Sequence, residues 1–313
     1  MARQSAKSAP HHASHHANDF AVAGPKEQDP GLITSRDNKW VKLFRSVLQG
    51  SGASERDLIG IEGPKFVEEA LRSGLEAEAL MVSATGEREI GRILGVSSES
   101  DTGIRRERIF RTSDKIFDTL TGTETPQGVA ALFRQPVWGL EDVLCGRLSR
   151  TGTRCGDSPL VVVLTGVQDP GNTGTILRSA EAFGATGAVT TRGTCDPWSP
   201  KALRASTGSA LRLPLLRGLS TAVLLAQLKM NQVKIVALSG RHEDASDVNE
   251  TAAILRGPAA IFVGNESAGL PGEVEHAADA TISIPMSESV ESLNAAVAAS
   301  VILYEAARQR KQS

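Results

Sequence analysis

The sequence predicts a two-domain α/β protein whose second domain is built on a parallel sheet covered on both faces. Three observations carry this. At 313 residues the chain is about twice the length of an ordinary domain. Short apolar runs alternate with stretches of helical periodicity through both halves. In the second half, the run LVVVL from Leu160 to Leu164 shows no polar alternation, as expected of a strand buried on both faces of a parallel sheet.

Residues 1–30 are rich in Ala, Ser, His and Pro and read as a disordered tail. Four of the six histidines fall there, in HHASHH, with no acidic or thiol ligand close by to complete a metal site. A front domain follows over 31–136. Ser35 offers an N-cap for a helix in which Val41, Leu43, Phe44, Val47 and Leu48 recur at helical spacing, and Gly50 ends it. LIGIEG alternates as a strand. PKFVEEALRSG is a helix started by Pro64 and stopped by Gly74, and ALMVS is a second strand. RIFRTS, a helix DKIFDTLTG and a strand QGVAALF close the domain near Pro136. Residues 137–157 read as a helix and a flexible joint.

The second domain spans 158–313. Leu160 to Leu164 feeds a turn, DPGNTG, and a helix with Ile176, Leu177, Ala180 and Phe183 on one face, ended by Gly184. AVTT, a helix AVLLAQLKMNQ, a strand VKIVALSG, a strand and loop AAIFVGNESAG, a strand TISIPM and a long helix from about Ser292 continue the alternation.

Composition limits the function. Hydrophobic residues at 40% and charged residues at 22% suit a globular chain, and no apolar run approaches the roughly 20 residues of a membrane-spanning helix. Cys145, Cys155 and Cys195 form no CxxC pair, so neither a disulfide framework nor a cysteine zinc site is supported. With no secretory signal pattern, the expected setting is the cytoplasm. A net charge of -2 gives no general attraction for polyanions, so any nucleic-acid surface must be local.

Three polar loops each follow an apolar strand of the second domain: DPGNTGTILR, GNESAGLP and IPMSESVESLN. Open α/β sheets bind ligands at such strand ends. The first loop has neither GxGxxG nor GxxxxGK[ST], which argues against a dinucleotide or a nucleoside triphosphate. Singly, each feature has an ordinary explanation: glycines by turn geometry, Arg178 by a surface ion pair, Asn172 by a turn or cap, Ser292 by capping the final helix.

Together, Asn172-Thr173-Gly174-Thr175-Ile176-Leu177-Arg178, Gly264-Asn265-Glu266-Ser267-Ala268-Gly269-Leu270 and Ile284-Pro285-Met286 with Ser292-Leu293-Asn294 form an ordered set. The set resembles the three motifs of the SpoU (TrmH) family of RNA ribose 2'-O-methyltransferases, within the SPOUT superfamily. The resemblance runs from about Leu160 to Arg308. It extends to the front domain, where ITSRDNKWVK, EGPKFVEEAL and LTGTETPQGVAAL look like the family's ribosomal-protein-like substrate-binding domain. One departure is Ser287-Glu288-Ser289, where the family often has a small residue; Glu288 is expected to face water.

The resemblance implies a trefoil-knotted methyltransferase domain, a topology that general rules disfavour and periodicity does not reveal. It implies S-adenosyl-L-methionine as cofactor, with no metal, and RNA as substrate. The front domain favours large-subunit (23S) ribosomal RNA, with transfer RNA as the alternative. It also implies a homodimer through the final helix, where small Ala residues stand beside Val297, Val301, Ile302 and Leu303. Asn172, Arg178, Glu266, Ser292 and Asn294 are placed at the target ribose. Arg178 acts there as a base or as a phosphate-gripping cation, and the permanent charge of arginine favours the second role. Glu266 either orients its loop or pairs with Arg178.

By the same resemblance, Leu238, Ser239, Gly240, Gly264, Ile284, Pro285, Met286 and Leu293 hold the cofactor, largely through backbone groups. Phosphates are expected at Arg36, Lys39, Lys42 and Arg45 and at the arginines of RRERIFR, Arg105 to Arg111. Arg192, Lys201, Arg204 and Arg212 surround a further segment in which Arg204 and Ser206 are second-tier candidates. Cys195 lacks an adjacent base and reads as a small filler. An RNA-binding or ribosome-assembly factor without transfer activity is the alternative of another class; the five polar residues, all intact, argue against it.

Overall fold

The computed structural model describes residues 32–50, 57–98, 104–148, 152–153, 158–239, 246–247, 252–287, 289–290 and 292–311. The expected tail, Cys155, Gly240 and Glu288 lie outside the described residues.

The first helix, α1 (Lys39–Leu48), starts later than expected. The Ser35 hydroxyl accepts from the Asp37 amide at 3.2 Å, while Asn38 caps the helix by accepting from the Trp40 amide at 2.8 Å. The asparagine stands where the backbone turns helical. Strands β1 (Leu58–Glu62), β2 (Ala77–Ser83), β3 (Ile109–Thr112) and β4 (Val129–Arg134) form a sheet in the order β1-β4-β2-β3, antiparallel except for β2 with β3. One face buries Ala79, Met81, Ala130 and Leu132 against Val41, Phe44 and Leu48 of α1. The other buries Leu80, Val82, Ala131 and Phe133 against α2 (Pro64–Arg72) and α3 (Ile90–Ser98). Helix α3 is not announced by periodicity, because Gly91 and Gly95 interrupt it. The helix expected from DKIFDTLTG is a single turn, α4 (Asp114–Phe117).

In the stretch read as a helix and a joint, the helix is α5 (Leu140–Cys145), which buries Val143 completely among Val161, Val163 and Val189, and a small antiparallel pair, β5 (Arg147–Leu148) and β6 (Gly152–Thr153), follows.

The second sheet has seven strands: β7 (Leu160–Leu164), β8 (Gly187–Thr191), β9 (Leu215–Leu219), β10 (Lys234–Leu238), β11 (Ser246–Asp247), β12 (Ala259–Val263) and β13 (Ala280–Ser283). Their order is β11-β13-β10-β12-β7-β8-β9 and every pairing is parallel. Val162, Leu164, Ile261 and Val263 face α6 (Pro170–Ala182) and α12 (Ala295–Arg310). Val161, Val163, Ala260 and Phe262 face α9 (Thr221–Met230) and α11 (Gly272–Ala277). Alternate residues thus serve two apolar layers, which explains the unbroken apolar run of β7. Helices α7 (Pro200–Ser206), α8 (Ser209–Arg212) and α10 (Ala252–Arg256) complete the fold.

Two contacts set the geometry around the sheet. A Cβ on Gly174 of α6 would stand 2.3 Å from the Ala202 carbonyl oxygen and 2.6 Å from the Ala205 Cβ, so glycine is what lets α7 lie against α6. At the other end of the strands, Arg310 of α12 donates to the carbonyls of Leu255 (2.8 Å), Ser158 (2.5 Å) and Pro159 (2.9 Å), and to that of Gly257.

Candidate active site

Because the seven strands are parallel, their C-terminal ends share one edge of the sheet, where β13, β10, β12 and β7 stand side by side. The three motifs converge there. After β7, Asp169 caps α6 by accepting from the Asn172 amide at 2.8 Å, with Pro170 as first helical residue. The segment read as a turn is therefore the opening turn of the helix, and Asn172 is its third residue. The Asp-Pro pair, an N-cap followed by a helix-starting proline, was the available sequence signal.

After β12, Asn265 and Gly269 exchange backbone hydrogen bonds of 2.9 and 3.0 Å, closing a tight loop. Gly269 has φ 71°, and a Cβ on Gly264 would stand 2.5 Å from the Gly269 carbonyl carbon. Gly264 is thus required by the loop itself. Asn265, which the sequence reading did not single out, accepts from the Ser267 and Ala268 amides at 2.9 Å and donates to the Gly166 carbonyl at 2.8 Å.

Side chains of all three motifs meet at Asn172. Its amide nitrogen donates to Glu266 at 2.9 Å, and its amide oxygen accepts from the Asn294 side chain at 3.0 Å. Asn294 in turn accepts from the Ala296 and Val297 amides at 2.9 and 3.3 Å. Asn294 rather than Ser292 therefore caps α12, which begins at Ala295 instead of near Ser292. A carboxylate only accepts, so Glu266 dictates the orientation of Asn172, which dictates that of Asn294. Burial alone would raise the Glu266 pKa; hydrogen bonds from the Asn172 side chain and from nearby backbone amides outweigh it and hold the carboxyl below its ordinary value.

Glu266 thus meets Asn172 and not Arg178. Arg178 is exposed on α6, one turn beyond Gly174, with no hydrogen bond or ion pair to any described residue. Ser292 is exposed as well. The rim between β13 and β12 carries Leu238 and Ser239, then Gly264, then Ile284, Pro285 and Met286, with Leu293 beyond. Leu238, Ile284 and Met286 are half-buried and Leu293 is 37% exposed. Partly covered apolar side chains on loops at strand ends fit an adenosyl group, which needs a dry surface for its ring and hydrogen-bonding backbone at its edge.

Other candidates are committed elsewhere. Ser206 is fully buried and donates to the Leu203 carbonyl at 2.8 Å, so it stabilises α7 rather than facing a nucleotide. Arg45 holds the carbonyl and hydroxyl of Thr119, both at 3.0 Å. Lys42 pairs with Asp37, Arg108 with Glu78 and Arg111 with Glu87. Arg36, Lys39, Arg105, Arg106, Arg192, Lys201 and Arg204 are exposed. Cys195 is half-buried, and burial pushes its thiol up, away from the thiolate that a nucleophile needs. Among the described residues there is no cluster of metal-ligand side chains, and no helix long and apolar enough to cross a membrane.

Comparison with known proteins identifies the family. A profile described as the SpoU rRNA Methylase family matches residues 159–304, and one described as an MRM3-like substrate binding domain matches residues 38–131. The chain is 30% identical to the 23S rRNA (guanosine(2553)-2'-O)-methyltransferase RlmP of Bacillus subtilis, over 87% of this chain and 97% of the relative. It is 31% identical to the 23S rRNA (uridine(2479)-2'-O)-methyltransferase of Streptomyces viridochromogenes, over 89% and 92% of the two chains. The crystal structure of an AdoMet-bound rRNA methyltransferase from Sinorhizobium meliloti superposes with a TM-score of 0.73 at 29% identity, covering 89% of this chain and 97% of that one. With its three motifs joined at one sheet edge and these relatives matched almost end to end, the chain belongs to the SpoU rRNA methylase family.

Proposed function

We propose that the protein methylates the 2'-hydroxyl of a ribose in large-subunit ribosomal RNA, with S-adenosylmethionine as donor. The observation that carries this is the junction of Asn172, Glu266 and Asn294, which gathers three separated motifs beside an apolar, backbone-rich rim. The names of the relatives supply the substrate class. The bound cofactor supplies an already activated methyl group.

The chain's own residues position and polarise. Leu238, Ser239, Ile284, Met286 and Leu293 cover the adenosyl group, and Gly264 holds their neighbouring loop in shape. Asn172 and Asn294, locked by Glu266, orient the target nucleotide. Arg178, exposed on its helix and without an ion pair among the described residues, grips a phosphate and favours the hydroxyl's loss of its proton, a role that asks for no deprotonated guanidinium. The exposed cations of the front domain hold more distant RNA.

The same reading includes a cytoplasmic setting, the trefoil knot and a homodimer. Val297, Val301 and Tyr304 of α12, 49%, 41% and 55% exposed, line an apolar groove of about 330 Å³ with Thr175 and Phe183 of the α6 segment, a face suited to a second copy.

The test is tritium transfer from labelled S-adenosylmethionine to ribosomal and transfer RNA of a strain lacking the gene, followed by alkaline hydrolysis. Label in alkali-resistant dinucleotides of ribosomal RNA is the expected result. Label on bases, or none in either RNA, overturns the assignment, and label in transfer RNA alone changes the substrate.

A further inference from the structure

Arg212 is the last residue of α8, between Leu211 and Leu213, which are 2% and 1% exposed. Its backbone is fixed in the core while its guanidinium reaches sideways into a cleft of about 720 Å³ between the two domains. There it uses both ends of its fork. Nε and Nη2 donate to the two carboxylate oxygens of Glu181 at 2.6 and 2.7 Å, a bidentate pair. Nη1 donates to Glu69 of the front domain.

The two carboxylates belong to opposite sides of the cleft. Glu181 lies in the last turn of α6, the helix that bears Asn172 and Arg178. Glu69 lies on α2, beside Glu68, but the neighbours have separate duties. Glu68 holds Arg72 at 2.5 Å and Arg92 at 3.2 Å, within the front domain, whereas Glu69 reaches across. The approach depends on Gly208, with φ 83°: a Cβ there would stand 2.5 Å from Glu69 Oε1 and 2.7 Å from Arg212 Nη1. A side chain at 208 would occupy the space in which the two domains are tied.

We propose that Arg212 is a positioning residue for the RNA substrate: it fixes the front domain relative to α6, so that RNA held by the front domain presents its ribose in register with Asn172 and Arg178. The proposal rests on the methyltransferase reading above. Where only a fraction of molecules holds the competent register, apparent affinity for the RNA falls by that fraction, so loosening the tie shows in KM. Glu69 and Arg212 side chains are 38% and 32% exposed, so the tie is reversible rather than a sealed core contact.

The test is Glu69→Ala in the full chain, which removes the front domain's acceptor and leaves Arg212 on Glu181. The expected result is a KM for ribosomal RNA raised about three- to tenfold, with kcat and S-adenosylmethionine affinity within about twofold of the parent. Spin labels at Lys42 and Met230, both exposed and one in each domain, report a broadened interdomain distance distribution in the variant. Arg212→Lys, which keeps the charge and loses the fork, shows the same broadening. An unchanged distance distribution overturns the tie, and a broadened one with unchanged KM overturns its role in substrate positioning. Absence of transfer by the parent chain would instead sink the methyltransferase reading, while the distance measurement would still test the tie.

Discussion

Asn294 donates its side-chain amide to the Asn172 side-chain oxygen at 3.0 Å, across 122 residues of sequence. The contact has only one polarity, because Glu266 on the other side of Asn172 accepts and cannot donate. Asn172→Asp replaces the donor with a second carboxylate and reverses that logic. Transfer is expected to fall on the order of 10- to 100-fold, the cost of about 1–3 kcal/mol for an unmatched polar group, with cofactor affinity nearly unchanged. Single-turnover methyl transfer and calorimetry measure the two quantities.

Arg178→Ala removes a motif cation that makes no hydrogen bond or ion pair to the described residues. Transfer is expected to drop on the order of 10²–10³-fold, the usual scale for losing a positioned charge or donor at the reacting atoms. S-adenosylmethionine binding persists. A matching loss of cofactor affinity would assign Arg178 to structure.

Gly174→Ala drives a methyl group into the Ala202 carbonyl and the Ala205 Cβ. The expected cost is about 1–3 kcal/mol of stability, as for other overpacked contacts, because α7 must move away from α6. Equal denaturation midpoints for variant and parent would show that the two helices separate freely.

Glu181 carries a pH prediction. Burial would raise its pKa, but hydrogen bonds from Arg212 and Ser209 and the Arg212 charge outweigh it and hold the folded value below 4.5. A depressed carboxylate contributes stability that is complete above the unfolded value and is lost as pH falls through the folded one. Urea midpoints should therefore decline in the acid range below about pH 4.5, the ordinary glutamate value. Glu181→Gln should lower stability at neutral pH and flatten the acid decline; an acid limb of unchanged steepness would reject the assignment.

Arg310→Met leaves the carbonyls of Leu255, Gly257, Ser158 and Pro159 without their shared donor. A loss on the order of 3 kcal/mol is expected, since hydrogen bonds to charged groups are the stronger ones. The sheet edge that carries the motifs is at the opposite end of the strands, so cofactor affinity should hold in the folded fraction.

The alternation of apolar strands and periodic helices made most strands of both sheets legible, because β7 and α6 each carry a full set of buried residues; the edge strand β9 was not, since Arg217 and Gly218 interrupt its apolar run. Motif resemblance located Asn172, Glu266 and Asn294, yet their mutual hydrogen bonds come from folding segments far apart in sequence and no local pattern encodes them. Short elements escaped for local reasons. Helices α7 and α8 are broken by Thr207 and Gly208 at positive φ, and β11 is two residues long. Ser35 and Ser292 lost their capping roles to Asn38 and Asn294, which lie three and two residues further along and present equally good acceptors. In the sequence Arg212 is one cation among several, flanked by Leu211 and Leu213; only the fold shows that both leucines are buried and that the guanidinium reaches Glu69 and Glu181.

The Arg310 clasp bears on the order in which the molecule assembles. Two of its carbonyl partners precede the central strand β7 by one or two positions and lie 152 and 151 residues upstream of the guanidinium. Contacts spanning so much sequence form only after a large loss of chain entropy, and proteins dominated by them fold slowly. Pro159 and Leu160 are also held by Ala259 and Thr186, so β7 can pair with β8 and β12 before α12 docks, and the Arg310 contacts are expected among the late steps of folding.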